Sequence, residues 1–110
     1  MTTPTERTLI HKFEIFDKES IQNRLNNLEV GDVIELSEGI KMVISAINFN
    51  ENDSDEIDYL LLIHPNRKIK KATITQNSLN FLLDENQISS IECNSNLLKT
   101  ILPIYNAQNN

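Results

Sequence analysis

The sequence predicts an α+β domain built on a small, mainly antiparallel β-sheet that is curled or closed into a barrel. An N-terminal helix and short C-terminal helical segments are expected to accompany the sheet. The first observation behind this fold class is that several runs alternate apolar and polar side chains, as half-buried strands do. The second is that most of these runs follow one another through short connections, which favours antiparallel pairing.

The first two predicted elements are a strand and a helix. Residues 8–16, TLIHKFEIF, alternate strictly and predict a half-buried strand. Asp17 follows at a position where its carboxylate can cap a helix over residues 18–28. This helix carries one apolar stripe at helical spacing, formed by Ile21, Leu25 and Leu28.

A short strand and a long hairpin are predicted next. A turn over residues 29–32 leads into a strand over residues 33–36. Residues 40–49 and 57–64 carry apolar side chains on both sides of the chain, which is typical of central strands, so they are expected to pair with each other. The segment LEVGDVIEL at residues 28–36, followed by this hairpin, resembles a turn of small SH3-like and PUA-like β-barrels. The resemblance implies a curled or closed sheet and carries no function with it.

The C-terminal part is predicted to alternate strands with short helices. Residues 68–75 suit a strand, because they end in the β-favouring run TIT. Thr75 or Asn77 can cap a short helix in SLNFLLDE, and a last strand is expected over residues 88–93. A final helical turn, LLKTIL, is expected to stop at Pro103, since proline breaks the interior of a helix.

Length and composition indicate one soluble domain over residues 8–105, with flexible ends at residues 1–7 and 106–110. The single cysteine excludes an internal disulfide, which fits a reducing, cytoplasmic compartment. The longest apolar run, Leu60–Ile63, is far shorter than the roughly 20 residues of a membrane-spanning helix, so no membrane partner is expected. The net charge of −6 disfavours generic binding of nucleic acid.

Neither enzymatic activity nor a cofactor is predicted. The sequence contains no nucleophile-elbow or phosphate-loop motif, and its two glycines do not suffice for a glycine-rich phosphate cradle. His11, His64 and Cys93 are too widely spaced for a zinc site. We expect His11 to pack in the core and Cys93 to act as a small buried hydrophobe.

The acidic stretch NENDSDEID, residues 50–58, is interpreted as a solvated hairpin tip. An EF-hand loop needs glycine at its sixth position and a bidentate glutamate at its twelfth. Counting from Asn50, these positions hold Asp55 and Leu61, so no metal site is expected. The carboxylates assigned to this acidic tip are Glu51, Asp53, Asp55 and Glu56.

The basic stretch RKIKK, residues 67–71, admits three interpretations. Lysines often protect an exposed edge strand from pairing with other sheets. They can also pair with acidic residues on a neighbouring strand of the same sheet. The third interpretation is a partner-binding surface, whose candidate residues are Arg67, Lys68, Lys70 and Lys71.

These patterns favour a non-catalytic module that contacts another protein, or a second copy of itself, in a regulatory or inhibitory role. Strands that are apolar on both faces need two covers, and apolar surface left uncovered usually marks an interface. One alternative is a small nucleic-acid-associated β-barrel that uses the basic stretch. Another is a phage or mobile-element inhibitor of a host protein, which the acidic net charge permits.

Overall fold

Nine elements build the described part of the fold, in the order that the sequence predicts. The computed structural model describes residues 14–15, 17–37, 39–63 and 68–108. The strands are β1 (Glu14–Ile15), β2 (Asp32–Leu36), β3 (Lys41–Asn48), β4 (Glu56–Ile63), β5 (Lys68–Thr75) and β6 (Ile88–Cys93). The helices are α1 (Lys18–Asn26), α2 (Gln76–Asp84) and α3 (Ser95–Gln108), and none of these three is long and apolar enough to cross a membrane. Residues 8–13 and 16 of the predicted first strand, as well as His64 and Arg67, lie outside the described residues.

The strands form one six-stranded sheet in the order β1-β6-β2-β3-β4-β5, with every neighbouring pair antiparallel. The predicted α+β class and the mainly antiparallel sheet are thereby confirmed. The sheet is open rather than closed into a barrel, because β1 and β5 are its two separate edges. β3 and β4 form the predicted hairpin and lie inside the sheet, as strands with two apolar faces must.

One face of the sheet, which we call the helix-pair face, is covered by α1 and α2. The predicted stripe of α1 supplies Ile21 and Leu25, and α2 supplies Leu79 and Leu83. The strand residues that complete this core are Ile34, Met42, Ile44, Ile57, Ile88 and Ile91. Burial of these aliphatic side chains is the main force that holds the two helices on the sheet.

The opposite face, which we call the α3 face, carries a second and smaller core. Its buried members are Val33, Val43, Leu60, Ile69 and Ile101. Partly buried side chains around them are Leu62, Leu97, Leu98 and Tyr105. Because the two cores lie on opposite sides of the sheet, β3 and β4 need apolar residues at both odd and even positions.

The helix α3 is longer than the sequence predicts. A stop was expected at Pro103, but α3 continues through this residue to Gln108, so residues 106–108 are also helical. Proline inside a helix removes one backbone hydrogen bond and costs about 3 kcal/mol. Packing on both sides of Pro103 outweighs this cost, because Ile101 and Tyr105 both contact the core of the α3 face.

The helix α1 is fixed at both ends. Asp17 caps it as predicted, accepting a hydrogen bond from the Ser20 N–H at 2.9 Å, and this bond lowers the pKa of the Asp17 carboxyl. In the last turn, Arg24 donates from Nε at 2.9 Å and from Nη2 at 2.8 Å to the two carboxylate oxygens of Asp32. Asp32 is fully buried and also accepts from the Glu29 N–H at 3.0 Å. The hydrogen bond to Asp32 raises the pKa of the Arg24 guanidinium, and the ion pair of these two residues ties α1 to the start of β2.

Candidate functional site: a groove beside α3

The helix α3 covers only part of its sheet face and leaves an apolar groove along one side. The groove has a volume of about 430 Å³. Its lining residues are Gly39, Lys41, Leu62, Ile63, Ile69, Leu97, Ile101 and Ile104. A volume of this size falls within the range of roughly 300–1,000 Å³ that is usual for ligand pockets. The groove can therefore receive one or more apolar side chains of another molecule.

The strand residues that line the groove are placed by the register of the sheet. Lys41 lies opposite Leu62 in the β3–β4 ladder, and Leu62 lies opposite Ile69 in the β4–β5 ladder. Residues that face each other in an antiparallel ladder project to the same side, so these three form one row on the α3 face. The next row on this face contains Val43 and Leu60, which are buried beneath α3.

The helix α3 forms one wall of the groove, and contacts at both ends of the helix hold it in place. At its start, Gly31 has a φ of +98°, and a Cβ there would come within 3.1 Å of Ser95, so glycine is required. The Asn94 N–H, just before the helix, donates to the Gly31 carbonyl at 3.2 Å. At its end, the Gln108 side chain accepts from the Ile69 N–H at 3.4 Å. A groove with a fixed wall loses little conformational entropy when it is occupied.

Among the described residues that line the groove, Lys41 is the one that carries a charge. The sequence pattern does not single out Lys41, because residues 40–49 predict a strand that is apolar on both sides. The signal was present: Lys41 alternates with Val43 and therefore shares the α3 face with apolar neighbours. An ammonium group at an aliphatic groove favours a partner that carries a carboxylate close to an apolar anchor.

The predicted basic residues are distributed over both faces of β5. By register, Lys71 is exposed on the α3 face and Lys70 is exposed on the helix-pair face. Lys68 starts β5 next to the groove residue Ile69, and Arg67 lies outside the described residues. Neither Lys70 nor Lys71 forms an ion pair with a carboxylate in the described part of the chain. The positive charge of Lys71 is thus available on the same side of the sheet as the groove.

The acidic tip lies at the other end of the β3–β4 hairpin. Its later residues are bound to the start of α2: the Asn77 N–H donates to Ser54 Oγ at 2.8 Å, and the Gln76 N–H donates to the Asp55 carbonyl at 2.9 Å. Its exposed carboxylates are those of Glu51, Asp53 and Glu56. No group of three or more potential metal ligands occurs among the described residues. In the structure the tip contacts the first turn of α2.

We expect the double substitution Asp53→Asn and Asp55→Asn to change the free energy of unfolding by less than about 0.5 kcal/mol. Asp53 is exposed, and an amide at position 55 keeps the oxygen that accepts from the Asn50 N–H at 3.1 Å. Urea denaturation measures this change. Titration calorimetry of the wild type should show no calcium binding at micromolar concentration, and a micromolar site would contradict the solvated interpretation of the tip.

Cys93 is unsuited to nucleophilic chemistry. Its thiol is half-buried, and this burial raises its pKa, with the carboxylate of Asp32 raising it further. A reactive cysteine needs the opposite shift, because the thiolate is the nucleophile. The thiol of Cys93 is therefore not included in the candidate site, which consists of the groove residues.

Comparisons with known proteins identify no relative: neither a protein family nor a curated protein nor a solved structure matches this chain.

Proposed function

We propose that this protein is a non-catalytic, cytoplasmic interaction module with a regulatory or inhibitory role, which binds a partner protein through the groove beside α3. The observation that carries the proposal is an aliphatic groove with a single ammonium group in its lining. The lining residue Ile104 is 48% exposed, and Leu102 of α3, which does not line the groove, adds apolar surface because it is 40% exposed. An apolar centre with a polar rim is the usual anatomy of a protein interface.

Charge defines the partner further. Lys41 in the groove and Lys71 on the same sheet face favour a partner segment with carboxylates around an apolar anchor. Lys68, and Arg67 just before it, add positive charge to the same part of the sequence. Charged residues around an apolar anchor mainly accelerate association, whereas the anchor supplies most of the affinity.

Nucleic acid is the weaker candidate, because the lining residues within the described part of the chain are aliphatic apart from Gly39 and Lys41. Proteins that bind single strands commonly stack bases on aromatic side chains. Salt distinguishes the two ligands, since binding to phosphates weakens steeply as the salt concentration rises. Binding through an apolar anchor should weaken much less.

We expect Ile104→Glu to reduce partner binding by at least about tenfold, because it places a carboxylate at the edge of an apolar groove. The partner is first recovered from native cells by affinity capture and mass spectrometry, and its affinity is then measured with purified components. Phe81→Glu is the matched control: Phe81 is 62% exposed on α2, on the opposite side of the sheet, and this variant should bind normally.

Lys41→Glu, which changes the charge in the groove lining itself, provides a second readout of the same proposal. We expect it to slow association with the partner while dissociation stays nearly unchanged. If Ile104→Glu and Phe81→Glu bind equally well, the groove is not the binding site. Steep loss of the wild-type affinity between low and moderate salt would favour the nucleic-acid alternative.

A further inference from the structure

The strand β5 has an outer edge along which several backbone groups find no partner among the described residues. The Ile69 N–H points away from β4, because it donates to the Gln108 side chain. Since backbone groups alternate along a strand, the N–H and C=O groups of Lys71 and Thr73 point outward as well. Within the described residues these groups make no backbone hydrogen bond. We call residues 70–74 the open edge; such an edge readily accepts another strand.

The β4–β5 hairpin has acidic residues at one end and basic residues at the other. Glu56, at the acidic tip, lies opposite Thr75 at the end of β5. At the other end, Ile63 lies opposite Lys68, the second residue of the basic stretch. The two ends are about 23 Å apart, given roughly 3.3 Å for each residue step. A second copy of the hairpin in antiparallel orientation therefore brings its acidic end next to the basic end of the first.

We propose that two copies of this chain associate through β5, with their open edges paired antiparallel about a two-fold axis at Ala72. The occupant of the edge is thus a second copy of the chain, and the two sheets join into one. A two-fold axis perpendicular to the sheet leaves both α3 helices on the same side. Both grooves remain accessible, so this dimer goes beyond the proposed partner binding and does not depend on it.

The register follows from the five residues of the open edge. Only an axis at Ala72 pairs all of them, with Lys71 opposite Thr73 of the second copy. An axis at Lys71 would oppose two ammonium groups, which is destabilising. An axis at Thr73 would place Gln76, already in α2, opposite Lys70. Alanine suits the axis, because Cα atoms of a non-hydrogen-bonded antiparallel pair are only about 4.5 Å apart.

Charge complementarity supports this register. Thr73 Oγ1 donates to Asp58 at 2.8 Å, so Asp58 lies directly behind Thr73 on the α3 face. Lys71, opposite Thr73 of the second copy, can extend its ammonium group towards that Asp58. Neither Lys71 nor Asp58 has an ion-pair partner within the described residues. The lysines of β5 that hinder pairing with edge strands of unrelated sheets thereby favour the dimer with its axis at Ala72.

Charge reversal in the purified protein tests the contact. Sedimentation equilibrium of the wild type should show a monomer–dimer equilibrium. Lys71→Glu and Asp58→Lys should each weaken the dimer about tenfold, because two symmetric attractions become repulsions. The double variant restores the pair at an unchanged net charge and should dimerise within about threefold of the wild type. Lys99→Glu, an exposed control on α3, should dimerise normally.

Cysteine cross-linking tests the register. In a Cys93→Ser background, Ala72→Cys should form an intermolecular disulfide on mild oxidation, because the two Cβ atoms face each other across the axis. Lys70→Cys is the control on the same sheet face; its two copies would be about 13 Å apart and should not cross-link. Cross-linking at position 71 or 73 instead of 72 would overturn the register. A wild type that stays monomeric at millimolar concentration would overturn the dimer.

The dimer and the groove proposal can fail independently. Ile104→Glu alters the groove and should leave the sedimentation of the protein unchanged. If this variant is monomeric while Lys71→Glu still dimerises, self-association uses the groove, and the β5 dimer is wrong. If the β5 dimer holds and no groove variant affects partner capture, the proposed function is wrong instead.

Discussion

Replacing Asp32 with alanine is expected to lower the free energy of unfolding by about 3 kcal/mol. Removing one member of a buried ion pair costs about 3–5 kcal/mol, because the remaining charge is left without compensation. The side chain of Asp32 is 1% exposed and that of Arg24 is 18% exposed. Because the guanidinium can be partly hydrated once Asp32 is removed, we expect a loss at the lower end of this range. The loss also leaves the Glu29 N–H without the acceptor that it has at 3.0 Å. Urea denaturation measures the change.

Glu29→Ala is the matched control for this substitution. The Glu29 carboxylate lies 3.5 Å from Nη2 of the same arginine, but its side chain is 71% exposed. Exposed ion pairs contribute only about 0–1 kcal/mol. Equal effects of Asp32→Ala and Glu29→Ala would contradict the role of burial. The double variant Arg24→Met with Asp32→Leu should recover much of the lost stability, since no unpaired charge then remains.

The sequence predicted the order of the elements because each depends on local information. Alternation defines the strands, and the cap residues Asp17 and Thr75 define the starts of two helices. The position of β6 between β1 and β2 could not be predicted in this way. It depends on which strands β6 pairs with after α2, and long-range packing, not a short sequence pattern, determines that pairing.

The same distinction explains the length of α3 and the candidate site. Pro103 is a correct local signal for a helix end, but contacts of Ile101 and Tyr105 with the sheet override it. The groove was not predicted, since it exists only where the helix α3 leaves part of the α3 face uncovered. The place of Lys41 in the groove could not be predicted for a related reason, because it depends on the cross-strand neighbours of Lys41.

Two neighbouring leucines in β4 allow a direct test of the two-core arrangement. Leu60 is 1% exposed and belongs to the core of the α3 face. Leu61 projects to the helix-pair face and is only partly buried there. Both changes to alanine remove the same atoms from the same strand. Their effects should therefore differ only through burial and through the helix that each side chain contacts.

We expect Leu60→Ala to lower the free energy of unfolding by about 2–5 kcal/mol, since it leaves a cavity between the sheet and α3. Leu61→Ala should lower it by about 1 kcal/mol, because much of that side chain is already in contact with water. Hydrogen exchange adds a readout specific to location: Leu60→Ala should increase exchange in α3 more than in α1. Equal losses for both variants, with α3 exchanging as in the wild type, would show that α3 does not pack on Leu60. The groove beside α3 would then lack the fixed wall on which the proposed partner binding depends.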